Sequence, residues 1–577
     1  MTLLTRLCLA ILVAGCSPDA LPVGATRRTL VVDPAALVPL AQPLDPPGIG
    51  VAGAVPASAV PSFTAIGVRW ARRGLRWNNV EKVKGNYDFA SDDTWVDGVR
   101  KAKLKILLVL CYGNQLHTGG DKVPPTTAAQ RAAFAAYAKA AAAHFKGRVE
   151  DFEIWNEPDY VNFWPPKPDA HAFAALVKAA APAIHGGNPN ARVVVGGVHN
   201  LLSSALGFVG LYLKDGAAAD VDVIGFHPYP GGQALLKQLP EARLGQYKQL
   251  RAVVDKHDPS LPAWNTEWGH ASTWYDPAGN GRTAAAQHTQ AVMVTRAMLV
   301  SWLLGLPRTF IYNWGDHGDT PAAALDREKN FGLLAFDGKP KPAYHALATL
   351  AARASGRQLA ATGGGGAPPG SWLHLVKLAG SGDPVLVAWS EEMTTQAKLS
   401  VDGEVVEAVD LYGRTLTPGL AGGKPTFELR GADGPIYITL RADRPPGQRA
   451  SRPRARGRCR DRRGSRAGRA ARGRRPGRRG RRPGPGDRDS WLRAGRQPEA
   501  VLPGLRVAPA PPAPAASCSW TRVSVLDGTA THRAQRRGSG TGGRFPTRVD
   551  SCRPAQPCPG PAGPTRPAVI PGSSPAR

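Results

Sequence analysis

The feature that most constrains this chain is a repeated alternation between residues 46 and 350. Eight apolar, β-rich runs occur there, at 48–55, 66–72, 106–112, 149–157, 193–198, 221–227, 263–267 and 309–314. Between them lie longer Ala/Leu/Lys stretches, such as 128–145 and 170–185, whose apolar residues recur at helical spacing. Strands alternating with helices predict an α/β fold with a parallel sheet. Eight strands in about 270 residues fit a closed (β/α)8 TIM barrel. A doubly wound open sheet is the competitor. It is disfavoured because no Gly-rich phosphate turn leading into a helix follows the first run.

The flanks have other characters. Residues 351–441 hold short runs (385–389, 398–401, 405–411, 426–429, 436–440) separated by Gly/Asp/Pro turns, which predicts a small β-sandwich. Residues 17–45 read as a linker in which Thr29–Val32 is a candidate extra sandwich strand. From 442 to 577 the vocabulary changes to Arg, Pro, Gly, Ala and Ser. Residues 443–577 contain 31 Arg, no Lys and 7 acidic residues, so this tail carries +24 of the formal +29, and the rest of the chain only +5. With few aromatics and no apolar period, the tail is expected to be disordered. Its basicity has three readings: an authentic disordered tail, a shifted reading frame in a GC-rich gene, or a nucleic-acid-binding arm. The abrupt loss of Lys favours the shifted frame. An exported protein seldom meets nucleic acid, so no such partner is expected.

Export is read from residues 1–16. Arg6 precedes an apolar run, followed by Val13-Ala14-Gly15-Cys16. This is a signal peptide, and a Cys directly after Ala-Gly resembles a bacterial lipoprotein box. By that resemblance Cys16 is lipidated and tethers the protein to a membrane without a spanning helix; plain secretion is the alternative. No later stretch has the ~20 apolar residues of a membrane span. Of the seven cysteines, four lie in the tail and two in the signal segment. Only Cys111 remains in the body, so no disulfide is expected there.

The strongest chemical signal is Phe152-Glu153-Ile154-Trp155-Asn156-Glu157-Pro158-Asp159, which closes the fourth run. The second is Trp264-Asn265-Thr266-Glu267-Trp268-Gly269, which closes the seventh. In a barrel both lie at the C-terminal mouth, where active sites are built. Glu157 and Glu267 would then face each other across the opening. Two facing carboxyls, one protonated and one ionised, are what glycoside cleavage requires. Glu153 shares strand parity with Glu157 but lies deeper, and reads as a paired interior acid. Tyr112, Asn114, Trp164, Tyr229, Trp268, Trp274, Asp316 and His317 fall on mouth-side loops, and Trp164 and Trp268 are expected to line the cleft. No His/Asp cluster at metal spacing accompanies His227, so neither metal nor cofactor is expected.

These motifs together resemble clan A of the glycoside hydrolases, most closely families such as 39 and 5, over about residues 46–441. The resemblance implies Glu157, in the Asn156-Glu157 pair, as acid/base and Glu267 as nucleophile of a retaining double displacement. It implies that Arg72, in Val68-Arg69-Trp70-Ala71-Arg72, keeps Glu267 ionised. Asn156 would bond the sugar 2-hydroxyl. His227 and Tyr229, in Phe226-His227-Pro228-Tyr229, would approach the nucleophile and substrate. Trp314 would floor the sugar subsite. The implied partner is a β-linked oligo- or polysaccharide. A binding protein that kept the barrel but lost turnover, and a transglycosylase on the same scaffold, remain alternatives. The sugar, the linkage and the oligomeric state are left open.

Overall fold

A computed structural model describes residues 27–32, 37–53, 55–229, 239–363, 373–391, 393 and 396–442. The expected signal segment with Cys16, and the tail from 443 onward, lie outside the described residues.

Eight strands close into a parallel barrel: β3 (Gly48–Ala52), β4 (Val68–Arg76), β5 (Lys105–Cys111), β6 (Asp151–Ile154), β7 (Arg192–Val198), β8 (Val223–Phe226), β9 (Ala263–Trp268) and β10 (Arg308–Ile311). They follow one another around the ring in sequence order, and β10 pairs with β3 to complete it. Each expected run overlaps one of them, and the second strand runs four residues past its expected end, to Arg76. The strands are shorter than the runs where the chain turns at the mouth. Run 149–157 yields only Asp151–Ile154, which leaves Asn156 and Glu157 on the loop above it.

Three of the longer helices between the strands, Ala128–His144, Ala170–Gly187 and Ala284–Leu303, begin at a side-chain cap. Thr127 and Gln130 form a reciprocal capping box at the head of α4 (Ala128–His144). Asp169 accepts from His171 and Ala172 at the head of α5 (Ala170–Gly187). Burial of Phe134, Tyr137, Ala138, Ala141 and Ala142 turns α4 into the wall of the barrel.

Alternation along the strands sorts the barrel interior into layers. The lower layer is apolar: Trp70, Leu107, Val194, Val223, Trp264 and Phe310 pack together. Two residues further along their strands, Trp70 gives way to Arg72 and Trp264 to Thr266. The layer above the apolar plug is therefore polar. Gly50 makes the plug possible, since a Cβ there would sit 2.2 Å from the Phe310 ring.

Beyond the barrel two sheets face each other. One has six strands in the order β15 (Val405–Val409), β18 (Ile436–Leu440), β13 (Val385–Ser390), β12 (Leu373–Gly380), β11 (Arg357–Gly363) and β2 (Val38–Leu44). The other has four, β1 (Arg27–Val32), β14 (Gln396–Val401), β17 (Lys424–Arg430) and β16 (Gly419–Ala421), with β1 parallel to β14. So the segment read as a linker places one strand in each sheet. β2 contains two prolines and sits at an edge, where a missing N–H is tolerated. β13 is buried on both faces: Leu386 and Ala388 meet the second sheet, while Val385, Val387 and Trp389 join the barrel's core. At that junction Glu241 binds Arg296 at 2.6 Å and accepts from Trp389 Nε1 at 2.9 Å, all three groups being buried.

Candidate active site

Arg72, on the second barrel strand, organises the polar layer. It is 4% exposed and spends its guanidinium on three side chains. Nε meets Glu153 Oε2 at 2.6 Å, Nη1 meets Glu267 Oε2 at 2.6 Å, and Nη2 donates to Asn156 Oδ1 at 2.8 Å. Burial alone would push the guanidinium pKa down. The charges of Glu153 and Glu267 overcome that and hold it above its ordinary value. Glu153, fully buried, also accepts from Thr266 Oγ1 at 2.9 Å and Gly197 N at 3.2 Å. It is the paired interior acid expected from strand parity, and Arg72 is its partner.

Glu267 is the last residue but one of the seventh barrel strand. Besides Arg72 it accepts from the Tyr229 hydroxyl at 3.0 Å. Glu157 has a different environment. Its Oε1 lies 2.9 Å from His227 Nδ1, and its backbone N–H donates to Gly197 O at 3.0 Å. The loop that carries it is bent through left-handed conformations at Trp155 (φ 67°) and Glu157 (φ 49°). Such backbone is costly for residues with a Cβ and persists where surrounding contacts enforce it. A carboxylate oxygen of each glutamate and a ring nitrogen of His227 all lie within 4.8 Å of one another. Three such atoms could contact a cation, but the Arg72 guanidinium already supplies the positive charge at Glu267.

Three phenols surround the carboxyl pair. Tyr229 is held well above its ordinary pKa by burial, then by the charges of Glu267 and Glu157. Tyr112 is raised by burial and by neighbours that include both glutamates. Tyr312 is raised by burial and by Glu267. All three stay protonated near neutral pH; Tyr229 gives its hydrogen to Glu267, and Tyr112 and Tyr312 can donate to a ligand's oxygens. Sequence reasoning put Tyr112 only on a mouth-side loop and passed over Tyr312, although Tyr312 shares inward parity with Phe310 on its strand.

Of the expected site residues, Arg72, Asn156, Glu157, His227, Tyr229 and Glu267 are brought together. Trp314 stands half-buried at the mouth end of the last barrel strand, its ring 5.9 Å from that of His317. Trp164 and Trp268 do not line the cleft, and that expectation is corrected. Trp164 is 1% exposed and packs edge-on against Trp155 and Phe173. Trp268 is fully buried, donates to Thr309 Oγ1 at 2.8 Å and lies under Arg243. The reason is a bulge in the strand: Thr309 pairs with Asn265 but Ile311 with Trp268, so one extra residue breaks the alternation that puts Trp264 and Thr266 inside, and Trp268 turns outward toward the helices. Asn114 and Asp316 are also internal. Asn114 ties down the turn at Trp77 and Glu81, and Asp316 pairs with Lys341 at 2.9 Å.

The arrangement has the parts for acid–base and nucleophilic work at one carbon centre: two carboxyls close together, one against a cation and a phenol, the other against an imidazole. A β-xylosidase of Geobacillus stearothermophilus is 28% identical over 219 residues, covering 34% of this chain and 40% of that protein. The chain thus matches less than half of that relative's length. Among solved structures, a family 39 glycoside hydrolase from Bacteroides cellulosilyticus WH2 has a TM-score of 0.55 at 22% identity, over 69% of this chain and 81% of that one. A monomeric β-xylosidase from Caulobacter crescentus CB15 has a TM-score of 0.52 at 16% identity, over 72% and 100%. These two likenesses establish a shared fold. The sequence profile of the glycosyl hydrolases family 39 matches residues 81–420, more than half of the chain, and this protein belongs to that family.

Proposed function

We propose that the protein is an exported retaining β-glycosidase of the β-xylosidase kind, which cleaves β-linked oligosaccharides through a covalent glycosyl-enzyme. The observation that carries this reading is the carboxyl pair, close together and in opposite environments. Retaining enzymes hold their carboxyls about 5–5.5 Å apart and inverting enzymes about 6.5–9.5 Å. A spacing within 4.8 Å between nearest atoms suits the first class.

Glu267, against Arg72 and Tyr229, attacks the anomeric carbon as a carboxylate. Glu157 gives a proton to the leaving oxygen, then takes one from the incoming water. Arg72 only donates, so it fixes the Asn156 amide with Oδ1 toward itself. The Asn156 N–H groups are then free for the sugar 2-hydroxyl. Trp314 stacks beneath the sugar ring. The relative from Geobacillus makes β-xylosides the first substrate to try. Residues 1–16 support export, with Cys16 as the lipid anchor.

The test is turnover of aryl β-xylosides, other aryl glycosides and an oligosaccharide panel by the full chain, beside Glu157→Gln and Glu267→Gln. The proposal expects activity that collapses in Glu267→Gln and a first-formed product that keeps the β-anomeric configuration by NMR. An inverted product, or turnover that survives Glu267→Gln, overturns it.

A further inference from the structure

Arg72 places one positive charge between two carboxyls. Its Nε meets Glu153 Oε2 and its Nη1 meets Glu267 Oε2, both at 2.6 Å. Of the two, Glu153 does more to hold the proton on Arg72. Glu153 is fully buried, and among the described residues Arg72 is its only ion-pair partner. Every group at its oxygens donates. Oε2 takes the Arg72 Nε–H, and Oε1 takes the Gly197 N–H at 3.2 Å and the Thr266 hydroxyl at 2.9 Å. With all three hydrogens pointing in, the carboxyl is an acceptor-only anion. Its seat is closely cut, since a Cβ on Gly225 would lie 3.2 Å from Oε1.

Following the charge through the reaction gives this anion a task. In the free enzyme Glu153 and Glu267 are two negative charges against the one on Arg72. When Glu267 attacks, its oxygen bonds to the anomeric carbon, the bond to the leaving oxygen breaks, and that electron pair leaves with the oxygen. Glu267 is then a neutral ester. Arg72 is 4% exposed, and without Glu153 it would at that point be a buried cation with no counter-charge. A stranded buried charge is strongly destabilising. When water attacks the same carbon, its proton passes to Glu157 and the electron pair of the ester bond returns to Glu267. The second carboxylate is then restored beside Arg72.

We propose that Glu153 is a positioning residue of the reaction cycle: it keeps Arg72 paired while Glu267 is esterified, and so stabilises the glycosyl-enzyme, speeding its formation and slowing its breakdown. A buried acid that served packing alone would slow both steps when removed. The inference rests on Glu267 as the nucleophile, and the experiment separates the two.

The probe is a dinitrophenyl 2-fluoro-2-deoxy glycoside of the sugar the parent cleaves best. Its leaving group needs no proton, so inactivation reports formation of the glycosyl-enzyme without help from Glu157. Recovery of activity after removal of excess probe reports breakdown by water. In Glu153→Gln, which keeps the volume and an acceptor for Arg72, inactivation should slow and recovery should quicken, each by at least about tenfold. Glu153→Asp keeps the charge but withdraws it from Arg72 by one methylene. It should fall between the parent and Gln in both rates, and it carries the same test of sign if Glu153→Gln does not fold. Two rates that move in the same direction, or do not move, would overturn the proposal. If the parent is labelled on Glu267 and the variants fail this test, this inference alone falls. A parent that cleaves no glycoside, or takes the label on another residue, sinks the nucleophile assignment itself.

Discussion

Replacing Arg72 by Met should destabilise the protein mainly through the charge it leaves behind. Glu153 is fully buried and would keep only the Thr266 hydroxyl and the Gly197 N–H. Glu267, with 16% of its side chain exposed, can recruit water. Removing one partner of a buried ion pair costs about 3–5 kcal/mol, because the other charge is stranded. Unfolding entropy of about 2.1 cal/mol/K per residue over about 400 ordered residues gives about 0.8 kcal/mol/K. The melting temperature of Arg72→Met should therefore fall by roughly 4–6 °C. Adding Glu153→Gln removes the stranded charge but keeps an acceptor for Thr266. The double variant should recover at least half of the loss. Scanning calorimetry of the parent, the single and the double variant decides it. A single variant melting within about 1 °C of the parent would refute the reasoning, as would a double variant melting no higher than the single. Neither variant should regain turnover, since neither restores the cation beside Glu267.

Other perturbations have equally definite outcomes. Burial, with Arg243 and Arg296 nearby, holds the His270 imidazole well below its ordinary 6.5. The unfolded chain therefore binds more protons there, and stability present above pH 6.5 is lost as the pH falls, by about 1 kcal/mol between pH 6.5 and 5.5. His270→Gln should flatten that part of a stability–pH curve measured by denaturant titration; an unchanged slope counts against it. Trp268→Ala, at a fully buried position, should cost about 3–5 kcal/mol of stability; a raised KM at unchanged stability would return Trp268 to the cleft. Tyr229→Phe removes the hydroxyl at Glu267 without changing ring packing. Its kcat/KM should fall about tenfold, at about 1.4 kcal/mol for one hydrogen bond to a charged group, with the melting temperature unchanged, and a full-strength variant would contradict the contact.

Much of this architecture can be read from the residues because periodicity and position carry it. The barrel runs are apolar for a reason of packing, and Glu157, Glu267 and Arg72 stand out because each interrupts or ends such a run with a charge. Glu153 could be placed in the interior by parity alone. What escaped reading lacked such a signal. β2, with the sequence VPLAQPL, has two prolines and a mostly exposed face, so nothing in it announces a strand. β11 is only weakly alternating and its pairing with β12 shifts register. Trp164 and Trp268 were misplaced because aromatic character suits a sugar platform and a core equally, and only the facing of each position separates the two. For Trp268, parity with Trp264 and Thr266 points inward, and a bulge in its strand, which no residue of the sequence announces, reverses it.

The central claim is that Glu267 forms a covalent bond to the sugar. The most direct measurement is the intact mass of the protein after exposure to a 2-fluoro-2-deoxy glycoside with an activated leaving group, followed by peptide mapping. The account predicts a gain of one fluoroglycosyl unit, carried by the peptide that contains Glu267 and absent from Glu267→Gln. A label on another residue, or none on a protein that turns over the parent glycoside, would contradict it.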